Sequence, residues 1–225
     1  MTTSPPDLNF ERTFFASGVE LLGAVDEVGR GSPAGPATCA IVVISARTGP
    51  VPTGLRDSKL LSASKREQLV PHIKGWAVAG VVGHAAPVEV DEYGLTAALH
   101  LAGLRALAQL PVRPDAILLD GNFDWLSPPQ QSTLLSSREL AETEVPPVTT
   151  KVKADLTCAS VAAASVLAKV ARDAIMVSLA RDYPEYGWAS NKGYGSTQHL
   201  DAVARLGLTP HHRASWHFAL ASGHD

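Results

Sequence analysis

An apolar run that ends in two adjacent acids constrains this chain more than any other feature. Residues 21–25 are followed directly by Asp26 and Glu27, and then by the glycine-framed arginine of Gly29-Arg30-Gly31. An apolar run of this kind predicts a buried strand, which places the two carboxylates at its exposed end. Carboxylate oxygens bind hard cations such as Mg²⁺. Glycine backbone beside them lets a sugar or a phosphate approach closely.

Predicted strands alternate with predicted helices along the chain. Because the link of residues 31–36 is too short for a crossover helix, we expect the first two strands to pair antiparallel. The alternation predicts an α/β fold in which helices pack on the faces of a mixed sheet. Strands are predicted at residues 21–25, 38–45, 76–84, 115–119 and 148–152. Helices are predicted at residues 11–16, 64–74 (opened by a capping box of Ser64 and Glu67) and 197–205, with one or two helices in residues 88–109 and an Ala-rich helix that ends near residue 181.

Length and composition suit a single folded domain. The chain has 225 residues, of which 45% are hydrophobic and 18% charged, so it has enough apolar side chains for a sizeable core. We expect one domain of residues 1–225, with a loose terminus at residues 1–9 and a long surface loop at about residues 123–147. The formal net charge of −3 argues against binding a polyanion through bulk positive charge. An acidic metal site stays compatible with nucleic acid, because bound cations offset its charge.

The sequence shows no sign of export, membrane insertion or disulfide bonding. Cys39 and Cys158 lie far apart in apolar surroundings, so we expect reduced core thiols. The first seven residues hold no basic segment followed by an apolar one, which predicts a cytoplasmic protein without a signal peptide. The longest apolar stretch, residues 156–180, contains charged side chains and predicts a core helix, not a membrane span.

Two further acids repeat the pattern of the first strand. Asp120 ends the apolar run of residues 116–119 and precedes a glycine, and Asp155 follows the fifth predicted strand. Ligands gather at strand ends in sheets covered by helices, so these acids could converge on one cation site. Four carboxylates beside lysines suit a two-cation site for phosphate-ester hydrolysis. Asp120 is equally compatible with a turn, and Asp155 with a helix cap.

A series of motifs resembles ribonuclease HII, the type 2 ribonuclease H family, in the family's order and over most of the chain. The matching segments are residues 23–31, 57–62, 118–122, 153–155, 163–173, 183–184, 191–199 and 212–216. The resemblance implies a ribonuclease H-like fold with a mixed five-stranded sheet, flanking helices and C-terminal helices. This fold agrees with the sheet predicted from the strand pattern.

The resemblance also implies an endonuclease and its metal ligands. It implies cleavage on the 5′ side of ribonucleotides, in RNA/DNA hybrids and singly embedded in duplex DNA, leaving 3′-hydroxyl and 5′-phosphate ends. We expect a monomer with no membrane association, and the sequence identifies no protein partner. Two divalent cations, Mg²⁺ or Mn²⁺, would be held by four catalytic carboxylates: Asp26, Glu27, Asp120 and Asp155.

Substrate contacts follow from the same resemblance. The backbone around Gly29, Arg30 and Gly31 would read the ribose 2′-hydroxyl, the group that distinguishes RNA from DNA. Tyr194 would stack on the sugar after the ribonucleotide and so sense an RNA-to-DNA junction. Three lysines in matching motifs are expected to contact phosphates: Lys59, Lys153 and Lys192.

The chain departs from the family pattern near the fourth carboxylate. The family usually has glycine where this chain has Ala154, and alanine adopts a positive φ at higher cost, so Asp155 could be displaced. The segment between Asp120 and Asp155 is also longer than usual. Asp173 is the competing acid, but we expect it to lie on a helix and pair with a neighbouring base.

Histidines and rival functions complete the predictions. We expect His199 to be structural and not a general base, and the adjacent His211 and His212 point apart, which does not favour a metal pair. A non-catalytic nucleic-acid-binding protein of this fold would have lost a catalytic acid. A DNA-only nuclease would not need the Gly29-Arg30-Gly31 loop or Tyr194.

Overall fold

A five-stranded mixed sheet forms the centre of the computed structural model, which describes residues 4–127 and 143–216. The spatial order is β3-β2-β1-β4-β5. β1 pairs antiparallel with β2 and parallel with β4, β2 pairs antiparallel with β3, and β4 pairs parallel with β5. The predicted mixed sheet and its antiparallel first pair are therefore confirmed. The strands are β1 (Leu21–Val28), β2 (Ala37–Ser45), β3 (Ala79–Ala85), β4 (Ala116–Asp120) and β5 (Val148–Lys151).

Helices cover both faces of this sheet. The described helices are α1 (Asn9–Ala16), α2 (Ala63–Trp76), α3 (Pro87–Tyr93), α4 (Leu95–Ala108), α5 (Ala154–Thr157), α6 (Ala159–Leu179), α7 (Trp188–Asn191) and α8 (Thr197–Leu206). Short 3₁₀ turns occupy Ser58–Leu60 and Pro184–Tyr186. α6 is the predicted Ala-rich core helix, and no helix in the described part of the chain is both long and apolar enough to cross a membrane.

Alternating side chains of the strands build two separate cores. On β1, Leu22 and Ala24 join the cluster that packs against α6 and α2, whereas Val25 joins the cluster under α4. On β4, Leu118 and Leu119 divide between the two clusters in the same way. Successive strand residues point to opposite faces, so a strand buried on both faces reads as a continuous apolar run. Such a run is the sequence feature that predicted β1 and β4.

The register of β1 against β4 positions the acids. Val25 lies opposite Leu119 in this parallel pair, so the next residues, Asp26 and Asp120, leave neighbouring strands at the same level. By the alternation of strand residues, both acids point to the face that carries Ala24 and α6. The carboxyl ends of parallel strands are where ligands collect in such sheets, so the register alone brings two acids to one place.

Several predicted boundaries differ from the structure. α2 is capped by Ser62, whose side chain accepts a bond from the backbone N–H of Lys65, and not by the predicted Ser64. Asp7 forms a parallel bridge with Cys158, so part of the terminus predicted to be loose is hydrogen-bonded to the fold. A cap can occupy any of several neighbouring serines, and the sequence pattern alone does not choose between Ser62 and Ser64.

Part of the predicted surface loop at about residues 123–147 belongs to the core. Trp125 and Leu126 are buried against α4 beside Gly103, where the absence of a side chain leaves room for them. The expectation that residues 123–127 lie wholly at the surface is therefore wrong. Residues 128–142 lie outside the described residues. Cys39 and Cys158 are free and buried, as predicted.

A buried glutamate joins the first helix to the longest one. Glu11 is fully buried, and its Oε1 accepts hydrogen bonds from the Ser160 amide at 3.0 Å and the Ser160 hydroxyl at 2.7 Å. Ser160 lies in the first turn of α6, whose own N-cap residue supplies no side-chain bond. Glu11 therefore caps α6 from a distant part of the sequence. Burial is the largest cause that raises the pKa of Glu11.

The buried Glu11 should make stability fall as pH rises. Because its pKa is higher in the folded than in the unfolded chain, the folded state binds the proton more tightly. The free energy of unfolding then decreases as pH rises from ~4.3 through the raised pKa. Glu11→Gln keeps the shape but cannot ionise, so its thermal midpoint should fall less over this window. Circular dichroism melts of both proteins between pH 4 and 8 measure this, and parallel curves would contradict it.

Candidate active site

The four predicted carboxylates come from three adjacent elements. Asp26 and Glu27 lie near the end of β1, Asp120 is the last residue of β4, and Asp155 lies in the first turn of α5. Asp26 is only 5% exposed, and Asp155 is also buried. Glu27 pairs with Cys39 across the sheet and, by the alternation of the strand, points to the opposite face from Asp26.

One oxygen of each carboxylate is held by a hydrogen bond. Asp120 Oδ1 accepts from the backbone N–H groups of Ala154 at 2.7 Å and Asp155 at 3.3 Å, which fixes the start of α5 against β4. Asp26 Oδ1 accepts from the Glu27 amide at 2.8 Å. The remaining two bonds come from cationic side chains, Arg30 to Glu27 and Lys59 to Asp155.

Crowding of negative charge defines the electrostatics of the site. Burial, and then the charges of Glu27 and Asp120, raise the pKa of Asp26 well above its ordinary value. Burial likewise raises the pKa of Glu27, against the opposing effect of Arg30. Burial and the neighbouring Asp155 raise the pKa of Asp120. Like charges that are held this closely favour the protonated form or a bound cation.

Lys59 is the cation that faces these acids. Its ammonium lies 3.2 Å from Asp155 Oδ2, although the side chain is 73% exposed. Burial opposes the charge of Lys59, but Asp57, Asp155 and Asp26 together raise its pKa. Its backbone is fixed because its amide donates to Asp57 Oδ1, and Asp57 in turn accepts from the hydroxyl of Ser165 on α6. A buried network therefore holds this flexible cation at the edge of the acid cluster.

The donor set fits hard divalent cations, although it is not a closed ligand cage. Among the described residues, no group of three or more His, Cys, Asp or Glu side chains is arranged to hold a metal ion. Within the same residues, however, the second oxygen of each of the four carboxylates accepts no hydrogen bond, and Glu27 Oε2 is buried without a partner. Carboxylate oxygens are the ligands that Mg²⁺ and Mn²⁺ prefer.

The Gly-Arg-Gly loop (Gly29-Arg30-Gly31) follows β1, and the Arg172 side chain packs against its first glycine. Gly29 has a φ of +89°, and a Cβ there would lie 2.4 Å from Arg172 Nε. The Arg172 guanidinium donates to the carbonyls of Pro36 at 3.0 Å, Lys192 at 2.9 Å and Ala34 at 2.9 Å. Arg172 therefore joins the turn after the Gly-Arg-Gly loop to the segment that carries Tyr194.

Arg213 supports the same loop from the other side. Its guanidinium donates to the carbonyls of Gly29 at 2.7 Å and Arg30 at 3.1 Å, and stacks over the Trp216 ring at 4.7 Å from its centroid. Arg172 and Arg213 are fully buried, and neither forms an ion pair within the described chain. Sequence analysis missed both residues. The available signal for Arg172 was a basic side chain in the mainly apolar, Ala-rich α6.

Tyr194 lies at the surface above this pair of arginines. The residue is 36% exposed, and its ring centroid lies 5.3 Å from the Arg172 guanidinium and 5.5 Å from the Lys169 ammonium. Gly193 precedes it with a φ of +82°, and a Cβ there would lie 2.5 Å from the Ala34 carbonyl oxygen. The structure therefore brings Tyr194 close to the Gly-Arg-Gly loop, as Ala34 lies in the turn that follows that loop.

Two of the three predicted phosphate-binding lysines have unusual backbone conformations. Lys153 (φ 59°) and Lys192 (φ 53°) are the non-glycine residues with positive φ in the described chain. The concern over Ala154 does not arise, because Ala154 is helical and buried and the left-handed residue is its neighbour Lys153. Asp173 pairs with Lys169 at 2.6 Å and Arg66 at 3.6 Å, as expected for a structural acid.

Comparison with known proteins decides the family. The family model described as Ribonuclease HII matches residues 22–219. This chain belongs to the ribonuclease HII family. It is 44% identical over 217 residues to the ribonuclease HII of Streptomyces coelicolor, covering 96% of this chain and 85% of that protein. It is 46% identical over 217 residues to the ribonuclease HII of Cereibacter sphaeroides, covering 96% and 93%. The chain is thus a ribonuclease H-type endonuclease, and the resemblance inferred from its motifs is confirmed.

Solved structures show the same fold. The ribonuclease H2 of Pyrococcus horikoshii superposes with a TM-score of 0.66 at 25% identity, covering 88% of this ribonuclease HII and 95% of that chain. A ribonuclease HII of Archaeoglobus fulgidus, solved in a complex with PCNA, gives 0.65 at 25% identity, covering 87% and 93%. A ribonuclease HIII solved with Mn²⁺ gives 0.59 at 20% identity, which concerns the fold alone. The predicted ribonuclease H-like fold is confirmed.

The two glycines of the Gly-Arg-Gly loop should respond differently to alanine. Gly29→Ala adds a Cβ at positive φ against Arg172 and should lower the free energy of unfolding by about 1–3 kcal/mol. Gly31 has ordinary φ and no other atom within 4 Å of an added Cβ, so Gly31→Ala should change it by about 0.5 kcal/mol or less. Urea denaturation of this ribonuclease HII and both variants measures the difference, and equal effects would contradict it.

Proposed function

We propose that this ribonuclease HII cuts on the 5′ side of ribonucleotides, in RNA/DNA hybrids and where one ribonucleotide is embedded in duplex DNA. The products are 3′-hydroxyl and 5′-phosphate ends, and the enzyme acts as a monomer in the cytoplasm. The observation that carries the proposal is the juxtaposition of the acid cluster with the Gly-Arg-Gly loop, through the 3.1 Å contact between Glu27 and Arg30. The reacting phosphate and the ribose that specifies it can thus be bound side by side.

The metal ligands in this proposal are Asp26, Glu27, Asp120 and Asp155. Divalent cations, two Mg²⁺ or Mn²⁺ ions, supply Lewis-acid activation of the attacking water and stabilise the leaving 3′ oxygen when bound. The raised pKa of Asp26 and the unpartnered Glu27 Oε2 support this assignment, because cation binding relieves both costs. The hydrogen bonds to Asp120 keep α5, and therefore Asp155, beside β4.

The Gly-Arg-Gly loop is the proposed reader of the ribose 2′-hydroxyl. Recognition of a hydroxyl by backbone groups requires a loop whose backbone is held in place and can be approached closely, which glycine permits. Arg213 binds the Gly29 and Arg30 carbonyls of the loop, and Arg172 binds carbonyls of the turn that follows it, which supports such a role. A DNA-only nuclease with the same acids would not need this support. A non-catalytic binding protein would not need all four carboxylates.

Lys59, Lys153 and Lys192 are the proposed phosphate contacts. The ammonium of Lys59 lies beside Asp155, where it would meet the scissile phosphate. Lys153 and Lys192 occupy left-handed backbone conformations, and such strain in non-glycine residues is concentrated at functional sites. Lys192 now donates to the Ala189 carbonyl, a bond that a phosphate oxygen would replace.

The direct test uses three duplexes of the same sequence. One carries a single ribonucleotide, one is an RNA/DNA hybrid and one is DNA alone. The proposal requires incision of the first two and not the third, with Mg²⁺ or Mn²⁺ present, and product ends with a 3′-hydroxyl and a 5′-phosphate. Folded protein that leaves the single ribonucleotide intact with both metals would refute it.

Loss of one carboxylate charge should abolish cleavage without unfolding the protein. Asp26→Asn and Asp120→Asn keep the side-chain shape but weaken a cation ligand. We expect turnover to fall at least about 100-fold, because even groups that only support metal ligands cost 10–100-fold. Without metal, Asp26→Asn should raise the thermal midpoint, because it removes a carboxylate whose charge is disfavoured by burial and by Glu27 and Asp120. The control is Asp201→Asn, at an exposed position of α8. Near-normal turnover in either site variant would show that the metal ligands are misassigned.

Tyr194→Ala tests the proposed contact with the sugar after the ribonucleotide. If the ring stacks there, incision at a single embedded ribonucleotide should fall about tenfold more than incision of a hybrid, since one stacking contact is worth ~1–3 kcal/mol. Tyr93→Ala is a matched control, because Tyr93 has the same 36% exposure and lies on α3. Activities are compared where circular dichroism shows folded protein. An unchanged ratio would remove Tyr194 from the site.

A further inference from the structure

A buried pair of histidines, His199 and His212, connects the two segments proposed to read the substrate. His199 lies in the first turn of α8 and is fully buried, and His212 is 3% exposed. Their Nε2 atoms are 3.0 Å apart. The rings of Tyr186 and Trp188 pack on His212 with centroid distances of 5.0 and 5.2 Å. The proposed catalytic mechanism uses neither histidine.

The groups around the pair fix the position of each proton. The backbone N–H of Thr209 can only donate, so His212 Nδ1, 2.9 Å away, accepts and carries no proton. The His212 proton therefore sits on Nε2 and is donated to His199 Nε2. Trp188 Nε1 can also only donate, and it points to the same His199 nitrogen at 3.1 Å. His199 Nε2 is thus an acceptor.

At one end, this chain of bonds reaches the backbone of Tyr194. With its Nε2 accepting, His199 carries its proton on Nδ1 and donates it to the Tyr194 carbonyl at 2.9 Å. The same carbonyl accepts from the Ser196 amide at 2.8 Å. Two hydrogen-bond donors on the Tyr194 carbonyl fix the orientation of the peptide that follows the Tyr194 side chain. The Tyr194 ring lies over the Arg172 guanidinium.

At the other end, the pair is tied to the turn that follows the Gly-Arg-Gly loop. His212 forms an antiparallel bridge with Ala34, and the next amide, that of Arg213, donates to the Pro33 carbonyl at 2.8 Å. Ala34 in turn donates its amide to the Gly193 carbonyl at 3.2 Å. A displacement of His212 would therefore change the spacing between Tyr194 and the Gly-Arg-Gly loop.

A charged ring does not fit this arrangement. A second proton on His212 Nδ1 would face the Thr209 N–H, and a second proton on His199 would face the Trp188 N–H. Burial lowers the pKa of His199, and burial together with His199 lowers the pKa of His212 to about 4. Both rings are therefore neutral at neutral pH, with a single direction of donation.

We propose that His199 and His212 are positioning residues that hold Tyr194 at a fixed distance from the Gly-Arg-Gly loop, through an uncharged, one-directional relay of hydrogen bonds. The inference rests on the proposed role of Tyr194. The relay sets where the tyrosine meets the sugar relative to the 2′-hydroxyl contact, so it determines how well a single ribonucleotide is distinguished from a continuous hybrid. Neither histidine touches the substrate.

The activity test separates positioning from simple stabilisation. His199→Leu removes the donor to the Tyr194 carbonyl and should lower kcat/KM on a single embedded ribonucleotide about tenfold more than on a hybrid. His199→Asn places an amide nitrogen where Nδ1 was and should restore most of this loss. His72→Leu, at an exposed position of α2, is the control. A folded Leu variant with an unchanged ratio, or failure of Asn to rescue, would overturn the proposal.

A double variant tests whether His199 acts through Tyr194. In the Tyr194→Ala protein, His199→Leu should cause no further change in the substrate ratio, and additive losses would overturn the positioning role. If Tyr194→Ala alone leaves the ratio unchanged, the proposed role of Tyr194 fails and the positioning role fails with it.

The direction of hydrogen-bond donation in the relay can be measured independently of nuclease activity. Long-range ¹H–¹⁵N correlation spectra of protein labelled at histidine, near neutral pH, should show the Nδ1–H form of His199 and the Nε2–H form of His212, with His199→Asn and His212→Asn giving the assignments. Reversed tautomers or a charged ring would overturn the relay even in a fully active enzyme.

Discussion

The parallel pairing of β1 with β4 is the constraint on which the site depends. Because Val25 lies opposite Leu119, Asp26 and Asp120 lie side by side on neighbouring strands and point to the same face of the sheet. A shift of one residue in this register would turn one acid to the opposite face. Buried apolar side chains on both faces of the two strands prevent such a shift. The core therefore does more than stabilise the fold, because its packing determines which carboxylates meet.

The buried, neighbouring carboxylates of the site lower the stability of the folded chain. Burial and neighbouring acids raise the pKa values of Asp26 and Asp120, and Lys59 offsets only part of the repulsion from a largely exposed position. The opposite problem exists behind the Gly-Arg-Gly loop, where Arg172 and Arg213 are buried and bind carbonyl oxygens. Desolvation lowers the pKa of both arginines. Several hydrogen bonds to fixed carbonyls compensate a buried guanidinium, and these bonds give the loop its rigidity.

Features that depend on a short, continuous stretch of the sequence could be predicted from it. The apolar runs identified β1 and β4, and the acids at their ends predicted the candidate site, since both features are contiguous in the sequence. Longer-range relations were not predictable in this way. Glu11 caps α6 through Ser160, which lies 149 residues after it, and Arg172 binds carbonyls more than 130 residues earlier. The segment around Trp125 has no periodicity and so predicts a surface loop, whereas Gly103 on α4 provides the space in which Trp125 is buried.

Two kinds of buried polar group hold the segments that we propose read the substrate, and they differ in how they form hydrogen bonds. A guanidinium is charged at all relevant pH values and donates in several directions, so Arg172 fixes carbonyls on both segments at once. A neutral histidine donates a hydrogen bond from one ring nitrogen and accepts one at the other. The hydrogen bonds that run from Thr209 through the His199–His212 pair to Tyr194 are therefore all donated in the same direction. The arginine thus determines that the two segments lie together. In our proposal, the histidines set the orientation of the Tyr194 carbonyl, which accepts from His199.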